Sequence, residues 1–479
     1  MTFVQIMAGR LLNVFGLLIG LRRTNPALFW ILAFTVVSRL VIYVVGQPWD
    51  PQVIANTILN GDGAVYDRMA SGFLSGIFIT EMPWAANRTF GYPAFVTALY
   101  AISSNSIWLV LLIQTLINVI MVPMVYWSSK TLFASQKSGI AAAALFALSA
   151  ISAAWAARYL YTETLFTFVF LIFIMVYLHA WKRESFRWFL LLGLILGVGS
   201  IVRSALQFFL VIPLLVILLQ EFPIVKKLLL SMAIVGGLLL VISPFQAANH
   251  NQYGHYSLST ISGLMLVESV VTAKSSVDQT SRDQAFDSLV DKDWYEASNP
   301  FEKSAIAKRS SFEWVKSRPG EFFVLHGLGM ISFLIGTEKS AYLYVIARQE
   351  RPQLVLEGRV EPFADRVARN IYDIKKEYFL TPVLGIKLLI EYVFLVGGLF
   401  VLIRRKQKLA AIFFVLSIAY FIIGTAQAGR APRYRIPVLP IYAIIGGGGI
   451  VFLSFYFRSW LDRLRLLYFD KKISIGWDK

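Results

Sequence analysis

The sequence predicts an all-α polytopic membrane protein with about 10–12 transmembrane helices and external loops that carry short helices. The composition is the first reason: of 479 residues, 57% are hydrophobic and 15% charged, and the mean hydropathy is +0.64. The second is that several apolar runs approach or exceed the roughly 18–20 residues that a helix needs to cross a bilayer. The third is that basic residues concentrate in the short connectors between these runs. An ordinary soluble globule is excluded.

Ten apolar runs predict spanning helices, at residues 26–46, 106–127, 139–157, 163–180, 188–203, 205–220, 228–245, 383–403, 409–426 and 437–457. Basic connectors are typical of cytoplasmic loops, so this pattern predicts that both termini are cytoplasmic. The long loops, 47–105 and 246–382, are then expected on the outer face. One more apolar stretch, Phe322 to Gly336, is only about 15 residues long and favours a re-entrant or partly inserted helix.

The chain is expected to divide into three parts. Residues 1–245 form an N-terminal transmembrane module that includes the external loop 47–105; residues 246–382 form an external segment; residues 383–479 form C-terminal helices and a basic cytoplasmic tail. Within the external segment, the mixed-charge residues 268–320 predict a small helical extramembrane unit. Residues 1–23 lack a cleavage-site pattern and predict an interfacial amphipathic helix instead of a signal peptide.

The net charge of +17 is explained by topology, because the basic residues lie in connectors, and a nucleic-acid partner is therefore not expected. There are no cysteines, which excludes disulfides, thiolate catalysis and cysteine zinc sites. No internal repeat of the inverted-repeat transporter kind is found.

The stretch from Gly61 to Tyr66 holds the strongest catalytic candidate, Asp62. Glycines on both sides let the backbone approach a ligand, and the carboxylate suits a general base. The alternative is that Asp62 caps the helix beginning near Ala64. Tyr66 follows one helical turn later, and Glu81 in the same loop is a second-carboxylate candidate or simply a surface residue. No cluster of histidines or acids accompanies Glu81, so no metal site is predicted.

Five arginines are candidates for binding an anion. Arg88 precedes Gly91-Tyr92-Pro93, a predicted turn that aims its donor fork, although Arg88 and Tyr92 also suit interface anchoring. Arg158 and Arg203 lie at the outer ends of spans, as does the acidic candidate Glu163; a functional cavity and an intraprotein ion pair are both open. The remaining two arginines, in the last external turn, are Arg433 and Arg435.

The last external turn is unusual because topology rules keep external loops poor in arginine. An anionic ligand at the outer leaflet explains this charge. Asn249 and His250, after the seventh span, and Tyr92, in the first long loop, are candidates for lining the same cavity, with interfacial packing as the alternative for the histidine.

These motifs together resemble the GT-C superfamily of polyprenyl-phosphate-sugar-dependent membrane glycosyltransferases. The likeness is to glycosyltransferase family 39, the protein O-mannosyltransferase and aminoarabinose-transferase-like group. Its residues are Gly61-Asp62 to Tyr66, Arg88 with Gly91-Tyr92-Pro93, Thr162-Glu163-Thr164, Gly193 to Arg203, Tyr253-Gly254 with Leu258-Ser259-Thr260 and Gly263, and Arg433-Tyr434-Arg435 with Pro437 and Pro440.

Two departures narrow the likeness. Many relatives carry an Arg-Asn-Tyr-like element where this chain has Asn249-His250-Asn251, so contacts of that arginine are not carried over. Protein mannosyltransferases tend to show adjacent Asp-Glu in the first loop, whereas Gly63 follows Asp62 here. This favours a bacterial enzyme that modifies a lipid or glycan.

The resemblance implies inverting transfer of one sugar from a polyprenyl-phosphate donor, such as an undecaprenyl phosphate sugar, to a hydroxyl of a lipid, glycan or protein. Asp62 is the implied base, and Arg203 and Arg433, then Arg158, Arg435 and Arg88, are expected to bind the donor phosphate. No cofactor is required, with a divalent cation the one open possibility. The implied location is the outer, periplasmic side of a bacterial inner membrane. A transporter or flippase of a lipid-linked sugar is the alternative, and a non-catalytic scaffold is less consistent with the charges.

Overall fold

A computed structural model describes residues 20–337, 380–425 and 432–473. Over these ranges the chain is helical and contains no strand. The interfacial helix expected within residues 1–23 falls almost entirely outside the described residues. Arg430, another arginine of the last external turn, also lies outside them. The all-α prediction is confirmed.

The principal helices are numbered here in chain order. They are α1 Pro26–Val45, α2 Asp62–Leu74, α3 Gly91–Ser103, α4 Ile107–Phe133, α5 Gln136–Ala147, α6 Ala150–Arg158, α7 Glu163–Arg183, α8 Phe186–Val202, α9 Val211–Leu218, α10 Ile224–Tyr253, α11 Ile261–Asp278, α12 Arg282–Asp287, α13 Lys292–Glu296, α14 Pro300–Ser317, α15 Pro319–Ile335, α16 Leu380–Arg404, α17 Lys408–Thr425 and α18 Leu439–Ile473. Shorter segments are Pro51–Val53, a π-helical turn Ile54–Ile58, and 3₁₀ helices Ile79–Glu81, Pro83–Ala85, Ser204–Leu210 and Pro432–Val438.

Each of the ten apolar runs coincides with helical structure. Among the described residues, six helices (α1, α4, α7, α10, α16 and the segment Arg433–Arg463) are long and apolar enough to cross a membrane alone. The bent pair α5–α6 is a seventh candidate, and four apolar segments are shorter, among them α8, α15 and α17. The protein is therefore an integral membrane protein. The segment 47–105 is itself mostly helical, and α10 continues past residue 245, so the expected module boundary falls inside a helix.

The span expected at 139–157 is broken in two. Helices α5 and α6 meet at a bend of 53°, where the Ser149 side chain caps α6. The buried Arg39, from the middle of α1, donates to the carbonyls of Phe146 and Ser149 at 3.4 and 3.5 Å and to Asn118 at 3.1 Å. Both carbonyls also accept a backbone N–H, and the guanidinium adds a charged donor to them at the bend, which stabilises the break.

The glycine run at the start of α18 allows close helix packing, as the sequence predicts. A Cβ at Gly449 would lie 1.9 Å from the Phe394 carbonyl of α16, and one at Gly447 would lie 2.4 Å from the Ser138 carbonyl of α5. Backbones this close exclude any side chain, a common basis of helix association in membranes. Helix α18 is thereby fixed between α5 and α16, and the 3₁₀ helix Pro432–Val438 that precedes it is positioned with it.

Helices α11 to α14 form a small helical unit where the sequence predicts one at residues 268–320, and its extramembrane position stays a prediction. Two clusters of buried side chains hold it together, one around Val267 and Ala307 and the other around Val270 and Trp314. The unit is linked to the rest through Asn299, which donates to the Tyr253 carbonyl at 2.8 Å, and through Ser304, which donates to the Thr260 carbonyl at 3.0 Å. The next helix, α15, has 17 residues, and its partial insertion stays a prediction.

Candidate active site

Five charged residues from separate parts of the chain meet at one end of the bundle. Two are acids at the first positions of helices, Asp62 on α2 and Glu163 on α7. Helix N-termini stabilise negative charge, so both acids occupy favourable positions. The cations are Arg88, from the loop before α3, Arg203, the C-terminal cap of α8, and Arg433, from the 3₁₀ helix Pro432–Val438. These five residues are called the Asp62 cluster below.

Asp62 lies between two arginines. Nη2 of Arg88 donates to one carboxylate oxygen at 2.6 Å, and Nη2 of Arg433 lies 3.6 Å from the other. The Asp62 side chain is 35% exposed, so it is reachable by a ligand. The capping alternative is wrong, because the helix begins at Asp62 itself with Gly61 at the N-cap position. The carboxylate is directed to the guanidiniums.

Glu163 forms the second ion pair of the cluster. Its carboxylate lies 3.8 Å from Nη1 of Arg203, and its side chain is only 5% exposed against 26% for the arginine. Glu163 thus forms an ion pair, and its partner is Arg203. Three guanidiniums face two carboxylates, so the Asp62 cluster carries one net positive charge and suits an added anion.

Two tyrosine rings complete the cluster. The Tyr434 ring lies 5.5 Å from the Arg203 guanidinium and 5.0 Å from that of Arg433, and Arg433 donates to the Tyr434 hydroxyl at 3.1 Å. The Tyr161 ring lies 5.2 Å below Arg433. Contacts of this kind hold planar guanidiniums in a fixed orientation. Sequence reasoning missed both tyrosines as site residues, although Tyr434 stands between two of the candidate arginines.

Backbone contacts hold the Arg88 loop against the end of α8. A Cβ at Gly91 would lie 2.7 Å from the Ile201 carbonyl oxygen, and the Thr89 hydroxyl donates to the Val202 carbonyl at 3.0 Å. Gly91 begins α3, so the turn expected at Gly91-Tyr92-Pro93 is instead the first turn of a helix, where proline is tolerated. Arg88 and Arg203 are thus fixed relative to each other.

Two clefts border the Asp62 cluster, one at Arg88 and one at Arg203. The first, the Arg88 cleft, measures about 440 Å³ and has aromatic walls with few polar groups. The second, the Arg203 cleft, measures about 370 Å³ and lies between α7, α17 and the start of α18, with Phe166, Tyr420 and Phe421 in its walls. Each cleft therefore has one arginine of the cluster in a mainly apolar lining.

Arg435 does not join the cluster. Its side chain is buried, and it donates to the carbonyls of Phe333, Leu334 and Gly336 at the end of α15, the last at 2.7 Å. Arg435 caps the C-terminal end of α15, so the structure does not support its expected role in binding the donor phosphate. Arg158, the last residue of α6, has its side-chain stem beside Gly46, and its phosphate-binding role stays a prediction.

The other loop candidates have separate positions. Glu81 is exposed at the end of a short 3₁₀ helix, away from the ion pairs of the cluster. Tyr66 is buried beneath Arg88, with 5.7 Å between ring and guanidinium, and burial raises the pKa of its hydroxyl. Tyr66 therefore stays neutral and supports Arg88. Tyr92 was expected to line a cavity; instead it is fully buried and donates to Gln114 at 2.8 Å.

The two candidates after the seventh span differ in their surroundings. Asn249 lines the Arg88 cleft and donates to the Ser257 carbonyl at 2.7 Å. His250 stacks on Tyr256, with 3.9 Å between ring centres, which agrees with the packing alternative. Within the described ranges, no group of three or more His, Asp or Glu side chains could hold a metal ion.

One family model and several solved structures match this chain. The family model described as "Dolichyl-phosphate-mannose-protein mannosyltransferase" matches residues 87–247, a stretch that contains Arg88, Glu163 and Arg203. No curated protein matches the chain at a significant level.

Among solved structures, the apo oligosaccharyltransferase of Archaeoglobus fulgidus aligns with 94% of this chain and 52% of its own, at 13% identity and a TM-score of 0.50. The same archaeal enzyme in complex with an inhibitory peptide and a dolichol-phosphate aligns at 12% identity and a TM-score of 0.47. This chain spans about half the length of those proteins. The chain is thus similar to this family over residues 87–247 and shares its fold with the apo archaeal oligosaccharyltransferase.

Proposed function

We propose that the protein transfers a sugar, with inversion, from a polyprenyl-phosphate-linked donor to a hydroxyl acceptor at the Asp62 cluster. The observation that carries this proposal is the pairing of one accessible carboxylate, Asp62, with Arg88 and Arg433. Such transfer needs a base for the hydroxyl and fixed cations for the leaving phosphate. The family model and the fold support the same reaction class.

The donor phosphate binds between Arg203 and Arg433 in this proposal. Their guanidiniums share the face of Tyr434, which holds them in place before the ligand arrives. The prenyl chain lies in the Arg203 cleft, whose walls include Phe166 and Phe421. An apolar tail and a charged head thereby meet matching surfaces.

Asp62 becomes available as base when the donor binds. Its contact to Arg433 is the longer of its two ion pairs, at 3.6 Å, and a phosphate with more charge competes for that guanidinium. The released carboxylate oxygen takes the proton of the acceptor hydroxyl as the hydroxyl oxygen bonds to the anomeric carbon. The bond from that carbon to the phosphate oxygen breaks, and the prenyl phosphate leaves with its negative charge on Arg203 and Arg433.

The cellular setting is part of the proposal. Basic connectors favour cytoplasmic termini, and the Asp62 end of the bundle then faces the periplasm of a bacterium. Undecaprenyl phosphate is the lipid expected for the donor there. The location of the site at the ends of apolar helices suits a donor whose tail stays in the bilayer.

Reconstitution of the full chain with a panel of prenyl-phosphate sugars tests the reaction by release of prenyl phosphate. Loss of the base in Asp62→Asn is expected to lower the rate by about 10²–10⁴-fold. Asp67→Asn is the matched control, because Asp67 lies on the same helix and only accepts a hydrogen bond from Tyr100, which an amide oxygen also accepts.

Two outcomes of this assay contradict the proposal. Normal turnover by folded Asp62→Asn protein removes Asp62 as the base. Movement of labelled donor across the vesicle membrane without release of prenyl phosphate supports the flippase alternative. A chelator arm in the same assay measures any dependence on divalent cations.

A further inference from the structure

Helices α16 and α18 carry a second group of cations at the end of the bundle opposite the Asp62 cluster. The two helices pack side by side there, with 5.4 Å between the ring centres of Phe400 and Phe452. Helix α18 begins at Leu439, directly after the 3₁₀ helix that carries Arg433, and Tyr456 lies about 26 Å further along it at about 1.5 Å per residue. This length is close to the roughly 30 Å core of a bilayer, so Tyr456 lies near the opposite membrane boundary.

Rings and guanidiniums share one face of the two helices at this boundary. It is called the Arg404 face and consists of Phe400 and Arg404 on α16 and Tyr456, Trp460 and Arg463 on α18. The three residues of α18 are spaced by four and three positions, which places them on one side of a helix. Nη1 of Arg404 donates to the Tyr456 hydroxyl at 3.2 Å, and its guanidinium lies 5.5 Å from the Phe400 ring. All three rings are exposed, by 46% to 54%.

No carboxylate neutralises these cations within the part of the chain that the structure describes. Arg404, Arg463 and the neighbouring Lys406 form no ion pair there. Asp462 is the only acid between residues 400 and 463, and its spacing from Tyr456 turns it about 120° away around α18. Several cations of α11 to α14, by contrast, have acidic partners: Lys274 with Asp278, Arg282 with Glu268, Lys292 with Glu296 and Arg309 with Asp291. The positive charge of the Arg404 face is therefore available to an anion from outside the chain.

The cations of this end are held in place before any ligand arrives. The Tyr456 hydroxyl and the Phe400 ring orient the Arg404 guanidinium, and a single N–H of that guanidinium donates within the described residues. The next residue, Arg405, donates to the Phe133 carbonyl at the end of α4 at 2.6 Å, which fixes the end of α16. The planar donor fork of an arginine matches a phosphate, and a preorganised donor loses little freedom on binding.

The combination of exposed rings and unpaired cations indicates the chemistry of the ligand. Basic residues that only set topology need to be near the membrane, but they need no fixed position against rings. A soluble anion would satisfy the guanidiniums and leave the rings uncovered. A zwitterionic lipid covers the rings but carries its own cation beside the phosphate. An anionic phospholipid matches both parts, since its phosphate meets the cations and its acyl chains cover apolar surface.

We propose that the Arg404 face is a binding site for an anionic phospholipid. The lipid phosphate bonds to the free N–H groups of Arg404, with Lys406 and Arg463 adding charge around the head group. An acyl chain packs on Phe400, and the Trp460 ring lies among the head groups. The bound lipid joins α16 to α18 at the end opposite Arg433. This inference does not depend on the proposed reaction.

Native mass spectrometry of the full chain in detergent tests the site. Purified protein is mixed with phosphatidylglycerol or with phosphatidylcholine of the same acyl chains, and bound lipid is counted over a range of lipid concentrations. Phosphatidylglycerol is expected to bind at least about tenfold more tightly, and added salt should reduce the difference. A diazirine-bearing phosphatidylglycerol is expected to label residues 400–408 and 452–463.

Charge removal locates the binding energy. Arg404→Gln combined with Arg463→Gln should weaken phosphatidylglycerol binding about tenfold, which corresponds to ~1.4 kcal/mol. The matched control is Lys308→Gln combined with Lys316→Gln, because these exposed lysines of α14 form no ion pair among the described residues and the loss of charge is the same. Binding by this control should equal that of the wild type.

Lys406→Gly separates lipid binding from folding. Lys406 has a φ of +59°, a conformation that favours glycine, so the variant should keep or raise the unfolding temperature while phosphatidylglycerol binding weakens. Four results would overturn the inference: equal affinity for the two lipids, equal effects of the two double variants, labelling confined to other segments, or displacement of the lipid by soluble glycerol phosphate. The last of these would assign the cations to a soluble anion.

Discussion

Substitution of Gly91 by alanine should disturb the site without touching any of its charged groups. The added Cβ would lie 2.7 Å from the Ile201 oxygen, 2.8 Å from the Ile201 carbonyl carbon and 2.9 Å from the Val202 nitrogen. All three are backbone atoms at the end of α8, so they cannot rotate away as a side-chain tip could. The loop that carries Arg88 must therefore move relative to Arg203.

The size of that movement follows from the contact distances. Relief of the overlap from 2.7 Å to the 3.4 Å of ordinary van der Waals contact needs about 0.7 Å. A displacement of about 1 Å in a catalytic group can cost about 10²-fold in rate, so we expect kcat to fall by about 10- to 50-fold. Overpacking of this kind should also lower the free energy of unfolding by about 1–3 kcal/mol.

The assay is release of prenyl phosphate, read beside thermal unfolding in the same detergent. Gly236→Ala is the control, because a Cβ at Gly236 of α10 has no neighbour within 4 Å, and alanine favours a helix by up to about 1 kcal/mol. Wild-type rate and unfolding temperature in Gly91→Ala protein would show that the loop is not fixed by this contact. A rate loss in Gly91→Ala protein equal to that in Gly236→Ala protein would also show that the contact does not fix the loop.

Two further substitutions test the ion pairs. Glu163→Gln removes the buried partner of Arg203 and should lower the free energy of unfolding by about 1–3 kcal/mol, a range kept low because Arg203 is 26% exposed. Release of prenyl phosphate should also be slower. Unchanged thermal unfolding would contradict the pairing. In the unit formed by α11–α14, hydrogen bonds from Lys274 and, to a smaller extent, from Arg318 lower the pKa of Asp278 below its ordinary value of 3.8. A carboxylate whose pKa is lowered by folding stabilises the protein above its unfolded pKa, and this stability is lost as the pH falls through the folded pKa. The stability of α11–α14 should therefore depend less steeply on pH below about 3.8 in Asp278→Asn protein. Hydrogen exchange at a series of pH values measures this stability, and identical pH profiles of the two proteins would refute the role of Asp278.

The spans were predictable from sequence because a bilayer imposes one simple requirement, a long apolar helix. The break between α5 and α6 was not, since nothing in an apolar run marks where it bends. Arg39, the residue that stabilises the break, was hidden inside the first run. A single cation in an apolar helix signals a buried partner, but the partner lies on another helix and cannot be read from the run itself.

Which residues belong to the site was only partly predictable, again because contacts between separate segments cannot be read from the sequence. Asp62, Arg88 and Arg203 stood out as charges at the ends of spans, but their pairing depends on how loops pack. Arg433 and Arg435 have similar contexts in sequence and opposite roles in the structure. They are two residues apart on a 3₁₀ helix with three residues per turn, so their side chains point in different directions: one to the cluster and the other to α15.

The order in which the Asp62 cluster is assembled has a consequence for biosynthesis. Chains fold from the N-terminal side as translation proceeds, so Asp62, Arg88, Glu163 and Arg203 enter the membrane first. Arg433 follows only after the ribosome has added more than two hundred further residues, and the glycines of α18 must then pack between α5 and α16. A nascent chain whose insertion stops early thus lacks one of the two guanidiniums assigned to the leaving phosphate. Under the proposed reaction, such a fragment would not consume lipid-linked sugar.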